Sequence, residues 1–193
     1  LDPFTPKMEE LFEWVAVNPV AQISKPREAQ GRTRFLSDGE RERLLVTCRS
    51  SKSTHLFTIV TLALSTGMRR GEMLGLRWED IDIQNRRITL VRTKNGERRG
   101  VPLVGKAYEL IKDLYLKLEP MDQDLLFPSP NNPKNFTCIR TAWHTAIKRA
   151  KIQNFRFHDL RHSTASYLAM NGASLLEIAD ILGHKTLQMV KRY

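Results

Sequence analysis

Residues 154–193 read NFRFHDLRHSTASYLAMNGASLLEIADILGHKTLQMVKRY. From 158 to 170 the spacing is helical. His158, Arg161, His162 and Ala165 fall at i, i+3, i+4 and i+7, which is one face. Leu160, Thr164, Tyr167 and Leu168 fall on the opposite, mostly apolar face. The pattern predicts a two-faced helix, its apolar side tucked into a core while imidazole and guanidinium groups point together into a cleft. Asn171-Gly172 stops that helix. Ser174 with Glu177 spells a capping box for a second helix over 175–182. Gly183 ends it, His184 stands on the turn, and Thr186 can cap a final short helix that carries Tyr193.

Working outward from this stretch, residues 66–82 read TGMRRGEMLGLRWEDID. Arg69 and Glu72 are i, i+3 at a helix start, close enough for the carboxylate to orient the guanidinium. Taken alone, Arg69 and Arg70 read as surface arginines, and Glu72 as structural. The preceding run, 56–64, is apolar nearly all round and belongs at the centre of a core. Ahead of it, Ser37 and Glu40 form another capping box, with Leu44, Leu45 and Cys48 facing inward. Residues 86–91 alternate as a strand, and Asn95-Gly96 favours a type I′ hairpin turn. The return strand, 97–103, contains Pro102, which suggests an exposed edge. Lys94 stands just before the turn, where a lysine is usually solvated, and Arg92, Arg98 and Arg99 nearby read as contacts to a polyanion backbone or as solubility charges.

A helix follows over 105–118, with Ala107, Leu110, Ile111, Leu114 and Leu118 on one side. A Pro/Asn loop over 120–134 is interrupted by the apolar Leu125-Leu126-Phe127. Residues 136–150 read as a two-faced helix. Phe136, Ile139, Trp143, Ala146, Ile147 and Ala150 make its apolar stripe, while Arg140, His144, Lys148 and Lys151 make a basic stripe able to line a DNA groove.

His158-Asp159-Leu160-Arg161-His162, then Leu182-Gly183-His184, then Tyr193 nine residues on, resemble the catalytic domain of the tyrosine recombinase (phage integrase) family. The 66–82 stretch is similar to that family's other signature, and Lys94 stands where the family keeps a lysine on a hairpin. The resemblance covers 35–193 and implies a mainly α fold with a small antiparallel β-sheet. It implies a catalytic set of Arg69, Lys94, His158, Arg161, His184 and Tyr193, with Glu72 and His162 in support. Tyr193 would attack a DNA phosphate and form a 3′-phosphotyrosine. That bond conserves the energy of the broken diester, so neither ATP nor a metal is required, and no phosphate-binding glycine loop is present in the sequence.

The residue types suit those roles. A phenol of pKa about 10 is a usable nucleophile once its proton is accepted. Two guanidinium groups grip phosphate oxygens in bidentate forks that lysine cannot reproduce. His158 can take or relay the tyrosine proton, and His184 can hydrogen-bond a non-bridging oxygen. Lys94 is the candidate acid for the leaving 5′-oxygen. His162 reads as structural, holding the turn or a neighbouring carboxylate.

Composition fits a polyanionic partner and a merely solvated basic surface equally well. Thirty-one Lys+Arg against twenty-one Asp+Glu give +10, and the pI is near 9.9. Apolar content of 41% suffices for a core, and no apolar run approaches a membrane span. Cys48 and Cys138, far apart and outside any C-x-x-C spacing, read as thiols of a reducing cytoplasm. Residues 1–5 resemble a cloning scar, and 6–34 the end of a core-binding domain and its linker, with the catalytic domain over 35–193.

The resemblance further implies double-stranded DNA with attachment-type sites as partner, a homotetramer on DNA, DNA-bending accessory proteins and residence at the bacterial nucleoid. A prophage or other mobile element is the expected source. Relatives continue beyond the tyrosine and carry an N-terminal DNA-binding portion, so this fragment is expected to be a monomer alone, with half the clamp on DNA missing and DNA binding weak and strongly salt-dependent, and with Tyr193 displaced from the cleft or frayed. Three rival readings remain open at this point. A metal hydrolase would use His158, His162 and His184, but it lacks the H-E-x-x-H glutamate and leaves Arg69, Lys94 and Tyr193 without a task. A non-catalytic DNA-binding module and a type IB topoisomerase-like relaxing enzyme are the others.

Overall fold

Ser37 starts the first helix as its sequence suggests. Its hydroxyl accepts from the Glu40 backbone N–H at 3.3 Å, while Glu40 Oε2 accepts from Ser37 N–H at 3.0 Å. Two of the N–H groups that a helix start leaves unpaired are thereby satisfied. The computed structural model describes residues 34–90, 98–184, 186–190 and 193. Along them run α1 (Asp38–Arg49), α2 (Leu56–Thr66), α3 (Arg70–Leu74), β1 (Ile81–Asp82), β2 (Arg87–Leu90), β3 (Arg99–Pro102), α4 (Gly105–Leu118), α5 (Arg140–Arg149), α6 (Asp159–Met170) and α7 (Leu175–Leu182). One-turn 3₁₀ helices occupy Trp78–Asp80 and Leu187–Met189. The fold is mainly helical with a small antiparallel sheet, as expected.

The apolar helix α2 is the hub. It packs against α1, α4 and α6, and Leu56, Ile59 and Leu62 are fully buried along it. Helix α1 also packs on α5, and α6 on α7. The sheet has order β1-β2-β3, with Ile88 opposite Val101 and both buried. Pro102 does lie on an edge strand, where its missing N–H costs no ladder bond. Strand β1 was not signalled by the sequence; it pairs Ile81 with Ile88. The Asn95-Gly96 turn, Lys94 and Arg92 lie outside the described residues, as do residues 1–33. Among the described residues no helix is long and apolar enough to cross a membrane.

Four sequence expectations need correction. The basic helix begins at Arg140, four residues late, because 136–137 are used in an extended pairing. Thr137 N–H donates to the Phe127 carbonyl at 2.8 Å, and Phe136 bridges Pro128 with 55% of its surface exposed. The loop's Leu126 and Phe127 are accordingly core residues, fully buried. Leu118 ends α4 exposed rather than on its buried side. The last helix is only a 3₁₀ turn, and Thr186 makes no side-chain cap to it.

The fourth correction concerns α6, which is not two-faced. Residues 159–165 are buried all round. Its polar residues are spent inside the protein. Ser163 Oγ accepts from Leu36 N–H at 3.0 Å, Thr164 Oγ1 lies 3.0 Å from the Leu64 carbonyl, and Tyr167 donates to the Leu36 carbonyl at 2.9 Å. Buried hydroxyls with partners cost little, so the helix can cross the middle of the molecule.

The cysteines give a simple check of this packing. Cys48 is buried, and burial pushes its thiol up to about 12, whereas Cys138 is exposed. Thiolate is the reactive form. One thiol should therefore react readily with a maleimide in native protein and two in denaturant, as counted by mass. Ready double labelling of native protein would contradict the packing of α1.

Candidate active site

Two left-handed glycine turns bring the distant motifs together. Gly67 ends α2 at φ +62°, and Gly183 ends α7 at φ +66°. A Cβ on Gly67 would lie 2.4 Å from Leu182 Cδ2, so the two turns are in close contact. Past the first turn, Arg69 occupies the N-cap of α3. Past the second comes His184, whose N–H donates to the Ala179 carbonyl at 2.8 Å.

Glu72 organises what lies between. Its Oε2 accepts from Arg69 N–H at 3.0 Å and its Oε1 from Arg69 Nη1 at 2.7 Å. Oε2 also accepts from Arg99 Nη2 at 3.2 Å. The Glu72 side chain is only 6% exposed and that of Arg99 only 11%. Arg99 is thus not the surface cation expected from the sequence; its second amine donates to the Ile181 carbonyl at the end of α7, at 3.2 Å. Burial lowers its pKa first, and the Arg69 charge lowers it further, while Glu72 and Asp180 oppose the shift.

Arg161 enters the same cluster from α6. It is 3% exposed, and Nη1 donates to the Gly67 carbonyl at 2.8 Å. Its Nη2 is buried with no hydrogen-bond partner among the described residues. Burial, then Arg69 and Arg99, bring its pKa down to about 10, while Glu72 and Tyr193 hold it up. The charges of Arg69 and Arg161 are thus near enough to act on one another. Arg69 and Arg99 pair with the one Glu72 carboxylate, and with Arg161 close enough to feel all three the cluster is net positive, suited to an anion.

Tyr193 lies beside this cluster. Val190, fully buried among Ala165, Ile178, Ala179 and Leu182, anchors the tail, and Tyr193 N–H donates to the Val190 carbonyl at 3.0 Å. The tyrosine hydroxyl is hydrogen-bonded to Nδ1 of His162. Tyr193 is packed against the cluster of Ala165, Ile178 and Leu182 and partnered by His162, not displaced. Nor is His158 its nearest imidazole: His158 is exposed and sits edge-on to His162, ring centroids 5.2 Å apart at 89°. Asp159 is buried, and its carboxylate accepts from Arg156 N–H at 2.8 Å. Among the described residues no group of three His, Cys, Asp or Glu side chains is arranged to hold a metal ion.

Of the DNA-contact candidates, Arg70, Arg98, Arg140, Lys148 and Lys151 are exposed. A cleft of about 770 Å³ opens next to the cluster and is lined in part by Arg69, Arg98, Arg77, Glu79 and Asp80. Its two extra carboxylates make it a poor seat for a polyanion, and neither Arg161 nor Tyr193 lines it.

Residues 34–193 match the sequence model of the phage integrase family. The chain belongs to that family. It is 37% identical over 186 residues to the shufflon-specific DNA recombinase of Escherichia coli, covering 94% of this chain and 45% of that protein. Its fold is similar to the catalytic domain of bacteriophage HP1 integrase, with TM-score 0.67, 30% identity, and coverage of 82% and 85% of the two chains. It is likewise similar to XerA recombinase, with TM-score 0.71, 27% identity, and coverage of 87% and 61%. The chain spans about half the length of the curated relatives it matches.

Proposed function

We propose that this integrase-family chain carries the strand-cleaving chemistry of a site-specific DNA recombinase. The observation that carries the reading is the phenol of Tyr193 placed against both a histidine and the field of Arg161, at the rim of a buried arginine cluster. A DNA phosphate there would meet the forked donors of Arg69 and of Arg161, whose Nη2 is buried with no hydrogen-bond partner among the described residues. Attack by Tyr193 oxygen forms the new P–O bond as the bond to the 5′-oxygen breaks. The tyrosine proton goes to His162, with His158 edge-on behind it at the surface. His184 serves a non-bridging oxygen, and Lys94, outside the described residues, protonates the departing oxygen. The chemistry asks for no metal and no nucleotide.

On this reading the partner is double-stranded DNA bearing attachment-type sites, acted on at the nucleoid. The full-length protein works as a tetramer, with accessory proteins that bend DNA. Exposed Arg70, Arg98, Arg140, Lys148 and Lys151 supply phosphate contacts, joined by Arg92. The test uses full-length protein and duplexes taken from the junctions of its own mobile element, each nicked one nucleotide from a candidate cleavage position. Release of the short 5′-hydroxyl piece prevents rejoining and traps the adduct. A covalent adduct mapped to Tyr193 is expected. Linkage to another residue, or binding with no adduct at any nick position, would overturn the reading.

A further inference from the structure

We propose that Arg99 is a positioning residue: one buried guanidinium that fixes the Glu72 carboxylate and the end of α7 together, and so holds Arg69 and His184 in one geometry. The inference rests on the strand-cleavage reading above and adds a residue to it. In sequence Arg99 has no distinction from Arg98. In the fold, Arg98 is exposed while Arg99 is 11% exposed and reaches two elements at once. Nη2 holds Glu72 Oε2 of α3, and Nη1 holds the Ile181 carbonyl of α7, each at 3.2 Å.

Both contacts act on groups of the site. Glu72 Oε2 also accepts the N–H of Arg69, so one oxygen fixes the start of α3 and receives Arg99. The Ile181 carbonyl is among the last four of α7, which lack partners within the helix and carry its negative end. His184 leaves the helix three residues later, through Gly183. A Cβ on Gly183 would sit 2.2 Å from Arg99 Nη1, so this turn is shaped around the guanidinium as well as by its positive φ. The charged groups acting on Arg99 are Glu72 and Arg69 of α3 and Asp180 of α7; Arg161 of α6 in turn feels Arg99. A lysine cannot copy the arrangement, because a single ammonium cannot span two acceptors on different elements as a planar fork does.

The test compares full-length parent, Arg99→Met and Arg99→Lys on the nicked duplexes. At saturating DNA, single-turnover adduct formation should fall by about a hundredfold in Arg99→Met, the scale of misplacing groups at a reacting centre, and Arg99→Lys should restore only part of it. DNA affinity and its salt slope should not change. If Arg99 gripped a phosphate instead, affinity would weaken and the log–log salt slope would shrink by about one unit, and the proposal would fall. It would also fall if adduct formation matched the parent, or dropped only in proportion to unfolded protein in a melt. A parent that forms no Tyr193 adduct would overturn the strand-cleavage reading separately. Histidine-ring NMR then decides the positioning role alone: His184 resonances should move in Arg99→Met while those of His55 and His144 stay, and an unmoved His184 would overturn it.

Discussion

Arg161→Lys should form the covalent adduct some hundredfold to thousandfold more slowly than the parent, the loss of about 3–4 kcal/mol that follows removal of one preorganised donor. The geometry explains why a conserved charge does not suffice. Arg161 uses Nη1 on the Gly67 carbonyl and keeps Nη2 buried without a hydrogen bond to any described residue. A lysine ammonium would have to choose between that carbonyl and a phosphate oxygen. Arg161→Ala should be worse in a different way. It also strands a buried carbonyl, which costs about 1–3 kcal/mol of stability, so its melt should move as well as its rate. Arg161 remains charged through the neutral range even with its pKa brought down to about 10, and an anion brought against Nη2 would oppose both causes of that shift. The check is single-turnover cleavage at saturating DNA beside a denaturant melt. Cleavage by Arg161→Lys within tenfold of the parent would remove Arg161 from the reacting phosphate.

Local features of this fold could be read from the chain because they are settled by near neighbours. The Ser37/Glu40 and Ser174/Glu177 boxes span three residues, and both formed. Helix α2 has no polar face to present to water, and it is the core. Motif spacing also singled out Arg69, Glu72 and Arg161; the structure pairs Arg69 with Glu72 and hydrogen-bonds Arg161 to Gly67, 94 positions away.

What escaped depends on long-range pairing. Arg98 and Arg99 are equivalent until the register of β3 sends one outward and the other to Glu72. His158 and His162 share a helix face, and periodicity does not say which one a residue 31 positions later will meet. Helix α6 reads as two-faced because Leu160, Thr164, Tyr167 and Leu168 fall opposite His158, Arg161 and His162; periodicity does not show that Leu36 and Leu64, about 100 positions or more away, supply the partners that let Ser163, Thr164 and Tyr167 be used inside the protein. Phe136 joined the wrong element for the same reason, since its place is set by Pro128 across a loop.

Glu72→Gln should lower stability by about 3 kcal/mol, far more than loss of an exposed ion pair, because it leaves buried cations without their counter-charge. Among the described residues Glu72 accepts three hydrogen bonds: two from Arg69, backbone and side chain, and one from Arg99. An amide keeps the shape but turns one acceptor oxygen into a donor that faces other donors. The mutual repulsion of Arg69, Arg99 and Arg161, which already depresses two of their pKa values, then acts without the carboxylate that offsets it. Urea midpoints measure the loss. Inorganic phosphate supplies the internal control: an anion able to enter the cluster should raise the midpoint of Glu72→Gln more than that of the parent. A loss below about 1 kcal/mol, the range of surface pairs, with no differential response to phosphate, would show that these arginines do not share one electrostatic site, and with that the case for a phosphate bound between Arg69 and Arg161 would fail.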